Sequence, residues 1–311
     1  MSTADRPLAG LRFVLVGPGR VGESLASWAL ACGAHCLQVA GRSASGRTAE
    51  VARRLGAAAV ATADCAASDA DLALLAVPDA ALPAVARQLA GRVRGVALHA
   101  AGALGASVLE PLRSPACAVG TFHPLAAFPA PRTGLAAARG IFFALDGDPE
   151  ARALGRRLAA AFGGEAAVVP EEIRDLYHLA ASLAAGGVAT VLASALDLAR
   201  RAGVPEVARA GYGALARGAL AAALAAAEPA TAITGPAVRG DLETVERQLA
   251  ALAGTAPDLR PLVIALARAA LDRRAQLAPA SPAQRALAER LARPDLLDRP
   301  RKRVLTSGLP D

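Results

Sequence analysis

The chain has 311 residues, enough for about two domains of roughly 150 each, and 54% of them are apolar while only 3% are aromatic. Any core must therefore be built mainly from Ala, Leu and Val. The formal net charge is +7, from 34 basic and 27 acidic residues. Most basic residues are spread along predicted helices; the exception, Arg299-Pro300-Arg301-Lys302-Arg303, has no interleaved aromatics, so a nucleic-acid partner is not expected.

Missing residues narrow the chemistry. There is no Asn, and the one Lys is Lys302 in the tail. The Tyr-x-x-x-Lys dyad of short-chain dehydrogenases is excluded, because Tyr177 and Tyr212 are followed four residues on by Ala181 and Ala216. The lysine general acid of hydroxyacid dehydrogenases is excluded with it. The segment from Met1 to Arg6 is short and polar, which predicts no signal peptide and a cytoplasmic protein.

An apolar run, Leu11–Val16, reads as the first strand. Gly17-Pro18-Gly19-Arg20-Val21-Gly22 follows it and opens a helical pattern, Glu23–Cys32. A G-x-G-x-x-G turn between a strand and a helix is a dinucleotide fingerprint. Its glycines let the backbone approach a pyrophosphate, and the helix N-terminus faces the negative charge. After the second strand, His35–Ala40, the ribose-binding position carries Gly41-Arg42-Ser43, and no acidic residue lies between Glu23 and Glu50. Arg42 and Ser43 suit a 2′-phosphate, so the expected cofactor is NADP. Cys32, Cys36, Cys65 and Cys117 are expected to be buried free thiols, since no second ligand cluster completes a zinc site.

Further strands are expected at Leu72–Val77, Val96–Ala100, Ala118–Phe122 and Ile141–Leu145, with a short one at Val60–Thr62. Helical runs at Thr48–Leu55, Ala81–Gly91 and Glu150–Phe162 lie between them. This alternation predicts an α/β fold, a doubly wound, mostly parallel Rossmann sheet. Ligands bind beyond the carboxyl ends of such strands, which places Gly17, Arg42, Val77, Pro78, Gly102 and His123 around one crevice.

From Glu171 onward only helical runs occur. The predicted domains are 1–170, a dinucleotide-binding Rossmann domain; 171–292, an all-α substrate and dimerisation domain; and 293–311, a basic tail. Leu179–Leu196 carries no charge. Its Ala, Gly, Ser and Thr content argues for a helix at the centre of an all-α domain rather than a membrane span.

The histidines carry the expected proton chemistry. His123, in Phe122-His123-Pro124, lies just past a strand end. His178 and Ser182 are four apart and share a helical face, where an imidazole and a hydroxyl can bind a substrate oxygen. His99 sits inside a strand and reads as structural. In Thr234-Gly235-Pro236…Arg239-Gly240-Asp241, Asp241 suits a helix N-cap. Thr234 and Arg239 are candidate substrate contacts, with Arg239 able to clamp a carboxylate or phosphate, or to make a subunit contact.

Taken with Leu75-Ala76-Val77-Pro78-Asp79, His99-Ala100-Ala101-Gly102, Phe122-His123-Pro124-Leu125 and Tyr177-His178, these motifs resemble a family of Rossmann-like proteins with an uncharacterised helical C-terminal domain. The family is distantly related to ketopantoate reductase, pyrroline-5-carboxylate reductase and phosphogluconate dehydrogenase. The resemblance implies an NADP-binding domain, a helical domain of the phosphogluconate-dehydrogenase-like type, a cleft between them and a homodimer. It departs from the pattern at Ala185-Gly186, where relatives often carry Ser-Asn. The expected function is an NADP(H)-binding oxidoreductase that reduces a small anionic carbonyl or imine compound. The alternative is a non-catalytic NADP-binding sensor or partner-binding module.

Overall fold

Strand β1 (Arg12–Val16) is buried along its last four residues, as a strand covered on both faces must be. With α1 (Arg20–Ala31) and β2 (His35–Gly41) it forms the first βαβ unit, followed by α2 (Arg47–Leu55) and β3 (Ala58–Ala61). The chain then crosses to the other side of β1, through β4 (Leu72–Leu75), α3 (Leu82–Leu89), β5 (Gly95–His99) and β6 (Cys117–Pro124). Strand β7 (Phe142–Gly147), α4 (Pro149–Phe162) and β8 (Glu165–Val168) complete the sheet. This is a computed structural model, and it describes residues 6–131 and 134–293.

The strand order is β3-β2-β1-β4-β5-β6-β7-β8, so chain direction across the sheet reverses between β1 and β4. Every neighbouring pair is parallel except β6 and β7. The mostly parallel Rossmann sheet is therefore present, with two features that the sequence pattern does not predict. A parallel neighbour requires a crossover connection, usually a helix. Between β6 and β7 the described residues hold only a 3₁₀ turn, Leu135–Ala138, so β7 returns antiparallel. Strand β8 reads Glu-Ala-Ala-Val, is largely exposed and has no apolar alternation to reveal it.

Two apolar layers sandwich the sheet. Trp28, Phe122, Phe143 and Phe162 gather on one side, with the Phe122 and Phe143 rings stacked at 4.5 Å. Leu75, Leu82, Leu89, Leu109 and Val119 fill the other. The tryptophan and most of the phenylalanines are thus concentrated at one place. All four cysteines are buried and free, and burial pushes the Cys36 thiol up to about 12 and that of Cys65 up to about 11. They behave as small apolar residues.

The chain divides into two compact units, Met1–Ala185 and Gly186–Asp311. The first includes α5 (Arg174–Ser182), which follows Pro170. A π-helical turn, Leu183–Gly187, carries the chain across the division into α6 (Val188–Arg201).

The second unit continues with α7 (Ala208–Ala225), α8 (Pro236–Arg239), α9 (Leu242–Thr255), α10 (Arg260–Ala275) and α11 (Pro282–Ala292). Its core is Val245 and Leu249 from α9, Ile264 and Leu271 from α10, and Leu287 and Leu291 from α11. Asp241 caps α9, accepting from the Thr244 amide at 3.1 Å, as its sequence position predicts. Ser281 and Gln284 form a capping box on α11.

Neither α6 nor α7 has a buried residue. The uncharged run Leu179–Leu196 is therefore not a helix packed inside its own chain: Leu179 is 55% exposed and Leu183 64%. By length and composition, Glu171–Arg201 is the one helix among the described residues that is long and apolar enough to cross a membrane. The basic tail beyond Arg293 lies outside the described residues.

Candidate functional site

Gly17 leaves β1 with φ near +100°, a conformation that side chains rarely adopt. A Cβ there would lie 2.6 Å from the carbonyl carbon and oxygen of Ala76, at the end of β4. The turn can therefore cross the sheet at its reversal point only as glycine. Gly19 is the N-cap of α1 and supplies no side-chain cap, so no side chain competes for the helix's first amides. Pro18 and Gly19 lie at the surface of the turn, Val21 is half-buried, and Gly22 packs beneath it. Arg20 is exposed, and its guanidinium donates to the Pro129 carbonyl at 2.9 Å.

Arg42 and Ser43 follow β2 and are both exposed. The Ser43 hydroxyl is 3.1 Å from that of Ser45. Glu23, in the first turn of α1, is 3% exposed and has both carboxylate oxygens engaged: Arg47 holds one, and Arg54 holds the other at 2.7 Å. Arg47 also donates to the Pro18 carbonyl at 3.2 Å. The one acid beside the fingerprint is thereby withdrawn from any ribose hydroxyl, and it ties α2 to the turn. The donor set fits a dinucleotide with a 2′-phosphate: an uncapped helix end over a glycine turn, then an exposed guanidinium and hydroxyls one strand away. Val77 and Pro78 lie just past β4, and Gly102 just past β5.

A second constellation is built around Gly102. His99, the last residue of β5, is fully buried, and both ring nitrogens have partners. Its Nε2 lies 2.9 Å from the Gly105 carbonyl, and its Nδ1 accepts from the Ala101 amide at 3.2 Å. His99 is structural, and it pins the loop that presents Gly102. Burial lowers it to about 4. A Cβ on Gly102 would come within 2.2 Å of His178 Nδ1 and 2.8 Å of His123 Nε2, so this glycine lets two imidazoles close over it. Their ring centroids are 5.8 Å apart, with planes at 79°. His123 Nδ1 lies 2.9 Å from the Tyr177 hydroxyl. Desolvation lowers His123 to about 4, helped by the nearby His178, Arg174 and His99. It is a neutral imidazole at neutral pH.

Beneath them lies Arg174, with no exposed surface. It donates to the Thr121 hydroxyl and, at 3.4 Å, to the Gly102 carbonyl, and its Nε is 4.0 Å from Asp146. It thus joins α5 to the ends of β5, β6 and β7. Burial pulls its pKa down, while Asp146, Tyr177 and Glu171 oppose the shift.

The sequence-derived candidates fall into separate groups. His123 and His178 meet over Gly102. Ser182 ends α5 exposed, with no hydrogen bond to His178. Thr234 and Arg239 belong to the second unit and are exposed there; Thr234 lines an open apolar groove with Pro236, Leu249 and Val263. Sequence reasoning missed Arg174 and the role of Tyr177. Their spacing carried the signal, since Arg174, Tyr177 and His178 stand at i, i+3 and i+4 on one helical face.

Comparison with known proteins agrees with this architecture. Residues 2–124 match the family model of a Rossmann-like domain, and residues 141–270 match a domain of unknown function, DUF2520. A search of curated proteins finds no match. Among solved structures, a candidate NADP oxidoreductase from Bacteroides fragilis is 23% identical, with a TM-score of 0.72, covering 85% of this chain and 98% of that one. A protein from Thermotoga maritima is 22% identical, with a TM-score of 0.63, covering 91% and 100%. The pyrroline carboxylate reductase of Plasmodium falciparum, solved with NADP bound, is 14% identical, with a TM-score of 0.57, covering 90% and 98%. At these identities the likeness speaks for the fold.

Proposed function

We propose, for a chain that joins a Rossmann-like domain to a domain of unknown function, DUF2520, that it is an NADP(H)-dependent oxidoreductase reducing a small, anionic carbonyl or imine compound. One observation carries the reading. The glycine turn follows the carboxyl end of β1, and His123, next to last in β6, meets His178 of α5 over Gly102, just past the carboxyl end of β5, where such sheets bind ligands. When bound, the dinucleotide supplies the hydride. The Gly17–Gly22 turn and the α1 terminus hold its pyrophosphate, Arg42 and Ser43 its 2′-phosphate, and Val77, Pro78 and Gly102 border the nicotinamide. His123 and His178 offer ring nitrogens to the acceptor. Ser182 is the proposed substrate contact of this unit, and Arg239, in the second unit, carries a guanidinium of the kind that suits a carboxylate.

Fluorescence titration tests the cofactor. NADPH is expected to bind at least about tenfold tighter than NADH, the value of one charge-assisted contact, and Arg42→Ala to erase the difference. Tighter binding of NADH would sink the assignment. The sequence keeps a sensor reading in view, because its one lysine lies in the tail. Tight NADPH binding with no oxidation by any keto acid or imine would favour it.

The exposed faces of α6 and α7 call for a partner, and we propose a second copy of this chain. Leu215 and Leu224 of α7 are 70% and 77% exposed and Val188 of α6 47%, and large apolar side chains left in the open on two successive helices suit an interface. Light scattering is expected to give a dimer. A monomer at all concentrations would refute it.

A further inference from the structure

We propose that Tyr177 is the proton source of this site, passing its proton through His123 to a carbonyl oxygen of the substrate. The proposal rests on the reductase reading. Hydride addition to a carbonyl, from a reduced nicotinamide dinucleotide, leaves an alkoxide that needs one proton. An iminium ion reduced in the same way needs none, so a built relay favours a carbonyl substrate.

The geometry supplies such a relay. Among the described residues the Tyr177 hydroxyl has one hydrogen-bond partner, His123 Nδ1, at 2.9 Å. When the hydroxyl donates, the imidazole carries its own proton on Nε2, the nitrogen turned toward Gly102. In the transfer, the Nε2–H bond breaks as the alkoxide oxygen takes that proton. The Tyr177 O–H bond breaks as Nδ1 takes the other. His123 remains neutral throughout and changes only its tautomer. The negative charge moves from the substrate oxygen to the Tyr177 oxygen, a weaker base, and solvent then returns the proton. Burial pushes the Tyr177 hydroxyl up to about 12, still more acidic than an alcohol, and Arg174, one turn earlier on the same face of α5 and fully buried, opposes that shift with its charge. It acts as a positioning residue, holding α5 to the Gly102 carbonyl and Thr121. His178 has no comparable support, because its Nδ1 is buried without a partner among the described residues.

The test begins on the cofactor-free protein. With histidine ¹⁵N-labelled and His123 assigned through His123→Gln, nitrogen NMR at neutral pH is expected to show Nε2 protonated and Nδ1 bare. In Tyr177→Phe the Nδ1 signal should move as its donor is lost. A protonated Nδ1 in the wild type, or a spectrum unmoved by Tyr177→Phe, would overturn the relay. Emission from Trp28 reports whether the variant is folded, since this single tryptophan is buried in the first unit. NADPH affinity should stay within about twofold in Tyr177→Phe, while kcat on a keto acid falls by on the order of 100-fold with KM little changed. Unchanged kcat would also overturn the relay. Failure of the wild type to bind NADPH would instead overturn the reductase reading, and leave the tautomer result standing.

Discussion

Arg174→Met is expected to destabilise the first unit by about 3 kcal/mol, the low end for removing one partner of a buried ion pair. The value sits at that end because the Asp146 side chain keeps 19% of its surface. The arginine cannot be replaced by volume alone. Its removal leaves the Gly102 carbonyl and the Thr121 hydroxyl without a cation, and Asp146 without its counter-charge. It also releases the first turn of α5 from the sheet, and with it the approach of Tyr177 and His178 to His123. Urea unfolding followed by Trp28 emission measures the loss, because that residue reports on this unit alone. A midpoint equal to wild type would show that Arg174 does not hold α5.

Gly17→Ala is expected to lower NADPH affinity by at least about 100-fold, equivalent to roughly 3 kcal/mol. A side chain at φ near +100° costs on the order of 1–3 kcal/mol of strain by itself. The new methyl would also meet the Ala76 backbone at 2.6 Å, so the turn must lift off β4. Gly10→Ala supplies the control. Gly10 has a similar φ of 84° but nothing within 4 Å of its missing Cβ, so strain alone is added, away from the turn. Titration of both variants with NADPH decides the matter. Equal affinities in the two would show that the Gly17 turn does not cradle the dinucleotide.

What the sequence disclosed, and what it hid, follows from the range of the interactions. The Gly17–Gly22 turn was legible because its constraint is local: strand, tight backbone and helix start are contiguous. Arg42 and Ser43 were legible for the same reason, as the residues that follow the second strand. His178 was legible as a position on a helix, whereas His123, expected just past a strand, lies within β6 opposite Ala144. Their meeting over Gly102 was not legible, because it depends on a glycine some twenty residues from one and far from the other admitting both rings. Arg174 stayed hidden because a lone arginine early in a helix ordinarily faces water, whereas here Thr121, Asp146 and the Gly102 carbonyl draw it inside. Glu23 stayed hidden as a structural acid because Arg47 and Arg54 reach it from another helix. Strand β8, four residues without apolar alternation, is too short to be read. The exposed run of α6 illustrates a different limit: apolar content predicts that a surface is covered, without saying by which chain.

The most direct test is a crystal structure of the protein with NADP⁺. The account predicts the 2′-phosphate on Arg42 and Ser43, the pyrophosphate at the Gly17–Gly22 turn, and the nicotinamide beside Gly102, against His123 and His178. A 2′-phosphate left in solvent, or a nicotinamide lying away from both imidazoles, would contradict it.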